Sequence, residues 1–261
     1  MAECRTPGSS SVTPPPGSSP AVSVILVVRN GAAYLAEALE SLCRQSHTPA
    51  QVLVVDGHSS DSTVSVAESF PGVTIVQQEG SGLANARNQG LALAVHPYVA
   101  FHDHDDRWLP SKLSLQLATL EQQPGLGYCL SHLRFISAQG EPIAPPANRA
   151  GAARRFPAVT PSGLVARRSL FDALGGFDPA YAIGCDAAWF THARDAGIPS
   201  ALLEEVLLEK RLHDTNLSNR SAINRSEMFR IAAASLARRR LPPPSTPQPI
   251  STPPLSGSGE S

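Results

Sequence analysis

The sequence predicts an α/β fold, a single domain with a mostly parallel central sheet flanked by helices. Three observations predict it. Short apolar runs rich in β-branched residues recur at 22–28, 51–55 and 98–101. Stretches with apolar residues at helical spacing separate them. Each run ends in polar loop residues: Arg29 and Asn30, then Asp56, then Asp103 to Asp106. Strands linked by crossover helices pair in parallel, and their C-terminal loops converge on one edge, where open α/β sheets bind ligands.

The first run, VSVILVV, is nearly continuous in apolar residues, as a strand covered on both faces requires. Arg29, Asn30 and Gly31 turn the chain, and Tyr34, Leu35, Ala38, Leu39 and Leu42 mark a helix face. QVLVV is the second strand, and Asp61 is placed to cap the helix within SSDSTVSVAESF. Residues 73–76 form a short third strand. Residues 81–95 have helical composition despite Gly90, and they lead into YVAF, a strand bracketed by Pro97 and Pro110. Pro110 is placed to start a helix with Leu113, Leu117 and Leu120 on its apolar face.

Residues 126–137 read as extended. Residues 138–161, rich in Pro, Ala and Gly and holding Arg149, Arg154 and Arg155, read as a mobile loop of the kind that closes over substrates. A strand near 163–166 follows, then a short helix ending at Gly175 and Gly176, and a helix from about 186 to 196 stopped by Gly197. Two strands come next, 201–203 and 206–212. The last element, 221–240, sets Ile223, Phe229, Ile231 and Leu236 among Arg225, Arg230, Arg238, Arg239 and Arg240, with Arg220 just ahead. It reads as a packed terminal helix with a solvated basic face, which also offers peripheral contact with an anionic membrane surface.

The chain has 261 residues, 42% of them hydrophobic, enough to bury a sizeable core. Residues 1–20 and 241–261 are dominated by Pro, Ser, Thr and Gly and are expected to be disordered, leaving 21–240 as the folded domain. A net charge of −1 supplies no global basic field, so no nucleic-acid partner is expected. Cys4, Cys43, Cys129 and Cys185 show neither CxxC spacing nor a dense disulfide pattern, which points to a reducing compartment. No apolar run reaches the roughly 18 residues of a membrane span, and the N-terminus is not signal-like. A cytoplasmic protein, peripheral to the inner face of the membrane at most, is the expectation.

The chemistry concentrates in YVAFHDHDDRW, residues 98–108. Asp103, Asp105 and Asp106 are hard oxygen donors suited to Mg or Mn, whereas His102 and His104 would suit zinc. Carboxylates this close together repel one another unless a cation is near. Neither GxGxxG nor GxxxxGK[ST] occurs, so two common nucleotide fingerprints are absent. Trp108 and Trp189 read as core or groove lining.

Taken in order, VSVILVVRNGAAYLAEALESL, VLVVDGHSSDST, GLANARNQGLALA, YVAFHDHDDRWLPSKL, GGFDPAY and LLEKRLHDTNLS resemble the successive blocks of the family two inverting glycosyltransferases, which have the GT-A fold. The resemblance runs over about residues 22–218. It implies transfer of a sugar from a nucleotide-diphosphate donor to an acceptor hydroxyl, with inversion and with Mn or Mg as cofactor. It implies that Arg29, Asn30 and Asp56 contact the nucleotide and that Arg87 lies near the diphosphate. Asp103 and Asp105 fall on the family's DxD metal site, Asp106 is the adjacent acid on the donor side, and His213 falls near the metal or diphosphate. Asp186 falls on the catalytic base. Polysaccharide, lipid-linked glycan and protein or peptide acceptors stay open.

The chain departs from the family in two places. Cys185 stands where members often carry Glu, and His104 replaces a small residue. Two rival readings follow from residues. His102, His104 and Asp106 spell HxHxD, the beginning of the signature of metallo-β-lactamase-like zinc hydrolases, although Arg107 stands where a further His belongs. Cys185 also motivates a relative that binds a sugar nucleotide or glycan without turnover.

Overall fold

A computed structural model describes residues 20–145, 155–214, 216 and 221–240. Both Pro/Ser-rich tails lie outside the described residues, as do Arg149 and Arg154. The chain alternates β1 (Val22–Val28), α1 (Ala32–Cys43), β2 (Gln51–Asp56), α2 (Thr63–Glu68), β3 (Val73–Gln77), α3 (Leu83–Leu93) and β4 (Tyr98–Asp103). It continues through β5 (Arg107–Trp108), α4 (Lys112–Gln122), β6 (Tyr128–Ile136), β7 (Phe156–Pro157), β8 (Val165–Arg167), α5 (Arg168–Leu174), α6 (Cys185–Asp195), β9 (Ser200–Arg211) and α7 (Ser221–Arg240).

The sheet order is β3-β2-β1-β4-β8-β6-β9-β5, with β7 paired to β6. The β3-β2-β1-β4 half is parallel, as expected for βα repeats. Beyond it β8 runs antiparallel between β4 and β6, while β6 and β9 are again parallel. Alternate residues of β1 face opposite sides. Val22, Val24, Leu26 and Val28 pack with α1 and α4, whereas Ile25 and Val27 pack with α3, α5 and α6. This double cover explains why the strand is apolar at almost every position. Gly90 permits a close approach of α3 to β1, because a Cβ there would lie 2.4 Å from Ile25 Cγ2.

Several elements differ from the expectation. The helix expected over 81–95 is shorter because Gly80 and Gly82 adopt positive φ and hold 80–82 as a turn. Pro110 precedes α4 without entering it, since the helix begins at Lys112. Strand β4 extends to Asp103, so that acid sits on the sheet edge itself. The two strands expected at 201–203 and 206–212 are one strand, β9, interrupted by a bulge: successive β6 partners Leu130 and His132 pair with Leu202 and Val206. His132 Nδ1 meets the Leu203 carbonyl, 2.7 Å away, inside that bulge. Within the expected mobile loop, Arg155 is fixed by the Glu204 carbonyl at 2.9 Å and by the Glu204 carboxylate at 2.7 Å.

Trp108 and Trp189 are core residues, 2% and 3% exposed. The terminal helix α7 packs through Ile231, while Phe229 and Leu236 face solvent. Its basic face is not simply solvated, because Arg238 and Arg239 pair with Asp195. Among the described residues no helix is long and apolar enough to cross a membrane.

Candidate active site

Strand register assembles the site. Val28 of β1 pairs with Asp56 of β2, and Val27 pairs with Asp103 of β4, so both acids flank the point where Arg29 and Asn30 leave the sheet. A cavity of about 1040 Å³ opens there. Arg29, Asn30, Arg87, Asp103, Asp105, Asp186 and His213 all line it.

Pairing of β5 with β9 carries the end of β9 against the acidic cluster. Each acid then finds its own partner. Asp103 Oδ1 accepts from Arg87 Nη2 at 3.1 Å, and its Oδ2 lies 3.8 Å from Lys210 Nζ. Asp105 Oδ2 contacts His213 Nε2 at 3.0 Å and accepts from Asn216 Nδ2 at 3.1 Å. Asp106 accepts from the Arg211 amide at 3.1 Å and from Lys210 Nζ at 3.3 Å. Arg211 is fully buried, and its Nε donates to the Asp105 carbonyl at 2.9 Å, which pins the backbone of the motif.

Electrostatics separate the three acids. Burial would raise Asp105, but Lys210, His104 and His213 outweigh it and hold its carboxyl below the usual value. Burial pushes Asp106 up to about 7, with Lys210 opposing and Asp105 and Asp103 adding to the rise. Lys210 is half-buried, which works against its charge, yet the three carboxylates raise its pKa and keep it charged. Asp106 does not line the cavity. It stands behind the wall and anchors Lys210, and the donor contact suggested for it by the resemblance is replaced by this supporting one.

Across the cavity, α3 presents Arg87 and α6 presents Asp186. Arg87 is 3% exposed and spans from Asp103 to Cys185 Sγ, 3.5 Å from its Nη1. Burial works against its charge, but Asp103, Cys185 and Asp186 together outweigh it and the pKa is raised. Asp186 sits in the first turn of α6, accepts the Ala187 amide at 2.7 Å, and has its pKa raised by burial with Arg87 opposing. The Cys185 thiol is pushed up by burial, so this position supplies Arg87 with a neutral neighbour where an acid would have competed with Asp103 for the guanidinium.

At the β1–β2 end, Asn30 and His58 both adopt positive φ, 53° and 59°, an uncommon conformation for residues other than glycine. Asn30 Oδ1 accepts the Ser60 amide at 2.8 Å, and the Asn30 amide donates to Ser59 Oγ at 2.8 Å, which holds the turn. Asp56 is 1% exposed and lies behind Gly57, which lines the cavity where Asp56 does not. Its Oδ2 accepts from Ser59 N at 3.1 Å and Gln77 Nε2 at 3.2 Å, while its buried Oδ1 has no hydrogen-bond partner among the described residues.

The model of "Glycosyl transferase family 2" matches residues 23–156, half of the chain. The chain belongs to this family. An uncharacterized glycosyltransferase of Nostoc sp. (strain PCC 7120) is 31% identical over 187 residues, 63% of this chain and 57% of the relative. The matched stretch spans between 19% and 57% of the length of such curated relatives. The Staphylococcus aureus TarS 1–349 structure in complex with UDP-GlcNAc superposes with a TM-score of 0.68 at 18% identity, covering 84% of this chain and 66% of that one. The mannosyltransferase PcManGT from Pyrobaculum calidifontis, in complex with GDP-Man and Mn2+, gives 0.66 at 22% identity, covering 90% and 69%. The fold is therefore that of the GT-A glycosyltransferases.

Within this family 2 domain the two histidines of the acidic motif have separate positions. His102 is 1% exposed, stacks on Trp108 with centroids 4.5 Å apart, and contacts Ser41 Oγ at 3.2 Å and Ser162 Oγ at 3.3 Å. Burial depresses its pKa to about 3, so it is a neutral core residue. His104 instead lines the cavity and leans over Gly31, where a Cβ would lie 2.4 Å from His104 Cδ2. HxHxD therefore does not converge as a zinc site, and among the described residues no group of three His, Cys, Asp or Glu could hold a metal. Asp105 and His213 do meet at the cavity wall, 3.0 Å apart. The Asp105 carboxylate is the kind of oxygen donor that Mg takes alongside phosphate oxygens and water.

Sequence reasoning passes over Lys210, because a lysine near a strand end reads as solvent-facing. The two-residue β5–β9 pairing and the β6–β9 register, which includes Lys210, bring it to the acids. Asn216 is likewise silent, since its contact with Asp105 spans more than a hundred residues of sequence.

Proposed function

We propose that this chain transfers a sugar from a nucleotide-diphosphate donor to an acceptor hydroxyl, by a single displacement with inversion and with the help of Mg or Mn. One observation carries the proposal: Asp103 and Asp105 line the same cavity as Asp186, each set on a different element of the fold. A diphosphate against the first pair leaves its sugar open to attack from the side of the third.

The residues divide the work. Asn30 shapes the nucleoside end, and Asp56 supports it from behind Gly57 by holding the Ser59 amide of the same turn. Arg87 and Lys210 are fixed positive charges near the diphosphate. A divalent cation held by Asp105 and His213, with Asp103 beside them, would neutralise charge that develops on the leaving diphosphate. Asp186 accepts the proton of the attacking hydroxyl, and its raised pKa makes it a stronger base than an exposed carboxylate.

UDP and GDP sugars are the first donors to test, since the TarS and PcManGT complexes hold UDP-GlcNAc and GDP-Man. Polysaccharide, lipid-linked and peptide acceptors all remain compatible with the cavity. Exposed Met228, Phe229 and Leu236 beside exposed Arg225 and Arg240 would support peripheral attachment of α7 to an anionic surface inside the cell.

The Asp186→Asn variant tests the reading. It should bind donor with affinity within about threefold of wild type and lose transfer by on the order of 100-fold or more. Transfer at the wild-type rate would remove Asp186 from the mechanism.

A further inference from the structure

The terminal helix α7 lies well beyond the family-matched region, and it grips α6 at both ends. At the start of α6, the Glu227 carboxylate accepts three backbone N–H groups: Ala182 at 2.6 Å, Ile183 at 3.0 Å and Gly184 at 2.7 Å. At the other end, Asp195 accepts Ser235 Oγ at 3.0 Å, Arg238 Nη2 at 2.9 Å and Arg239 Nε at 3.0 Å. Gly184 is pressed against this contact, because a Cβ there would lie 3.2 Å from both Glu227 Oε2 and Ile231 Cδ1.

Geometry makes this more than an ordinary helix contact. Ala182, Ile183 and the N-cap Gly184 lead into α6 and lie outside its hydrogen-bond ladder, so their amides need a partner from elsewhere. Glu227 is 4% exposed and its oxygens take up all three from α7. Ala182 and Ile183 line the donor cavity, and Asp186 follows two residues after Gly184. Arg230 fixes the segment from the other side, with Nη1 donating to the Ala180 carbonyl at 3.2 Å and its guanidinium 4.8 Å from the Tyr181 ring centroid.

We infer that Glu227 is a positioning residue for the transfer reaction, holding segment 182–184 and thereby the Asp186 carboxylate at the cavity wall. The inference rests on Asp186 being the base. It makes α7 a part of the active-site machinery that the family-matched region does not include. A displacement of about 1 Å at a catalytic group can cost on the order of 100-fold in rate, so loss of this clamp should appear in turnover.

The test combines kinetics with hydrogen exchange on the full chain. Glu227→Ala should lower kcat by about 10- to 100-fold with donor affinity within about twofold, and Glu227→Gln, which keeps one acceptor oxygen, should fall between it and wild type. In an Asp186→Asn background, Glu227→Ala should cause no further loss, because residues acting as a unit are non-additive. Amides of 182–188 should exchange faster in Glu227→Ala while those of β1 and β4 keep wild-type protection. A wild-type kcat in Glu227→Ala, full additivity with Asp186→Asn, or unchanged protection of 182–188 would each overturn the inference. Absence of transfer by the wild-type protein with every nucleotide sugar would instead remove the base assignment, and the exchange result alone would then decide whether Glu227 holds the segment.

Discussion

At the scale of single residues, the acidic motif is a set of differently supported groups. Asp105 is held ionised at the cavity wall, Asp106 is buried behind it against Lys210, and His102 is a neutral core residue. His104 is accommodated by the residue opposite. Gly31 has an ordinary φ of −110°, so only space demands glycine there. A Cβ would meet His104 Cδ2 at 2.4 Å and Val28 Cγ2 at 2.5 Å. Gly31→Ala should therefore destabilise the protein by about 1–3 kcal/mol, and adding His104→Ala should recover part of that loss. Urea denaturation of the two variants checks it, and a Gly31→Ala protein as stable as wild type would show that the ring moves freely.

At the scale of elements, α4 carries an unusual core residue. Lys112 is fully buried, donates to Gln116 Oε1 at 2.6 Å and stands 4.1 Å from the Trp108 ring centroid. Burial lowers its pKa from 10.5 to about 7. Between those values the unfolded chain holds the extra proton and the folded chain does not, so this group makes stability rise as pH rises from about 7 towards 10.5. Lys112→Met should remove that component. Unfolding free energies measured at pH 7 and pH 9.5 check the difference, and equal slopes in both proteins would show that Lys112 stays charged in the core.

The same scale shows what the sequence makes legible. Strands β1, β2 and β4 and the helices between them follow from local patterning, because each buries an apolar run or stripe within its own segment, and the half-exposed β3 adds Val73, Ile75 and Val76 beside them. Pairs joined by distant stretches do not follow. The two-residue β5 has no pattern of its own, the β9 bulge depends on which β6 residues it faces, and the antiparallel β8 is read as a strand but not as a reversed one. The candidate site divides likewise. Asp103, Asp105 and Asp186 line one cavity, but that Asp106 turns inward, or that Glu227 reaches back to 182–184, is decided by contacts across 43 to 105 positions.

For the whole molecule, the parallel half of the sheet supplies the cavity edge, and the β6–β9 half and α6 close around it. The two halves meet at the acidic cluster, where Lys210, Arg211 and His213 from the end of β9 and just beyond it contact the loop that follows β4. Donor and cation should then stabilise both halves together. The most direct measurement is calorimetric titration of the wild-type and Asp105→Asn proteins with UDP and GDP sugars, with Mn2+ and after its removal by EDTA. Wild-type protein should bind one of these donors at least about tenfold more tightly with Mn2+, a difference of about 1.4 kcal/mol, and Asp105→Asn should lose that gain. Binding that is equal in both proteins and indifferent to Mn2+, or no binding of any nucleotide sugar, would contradict it.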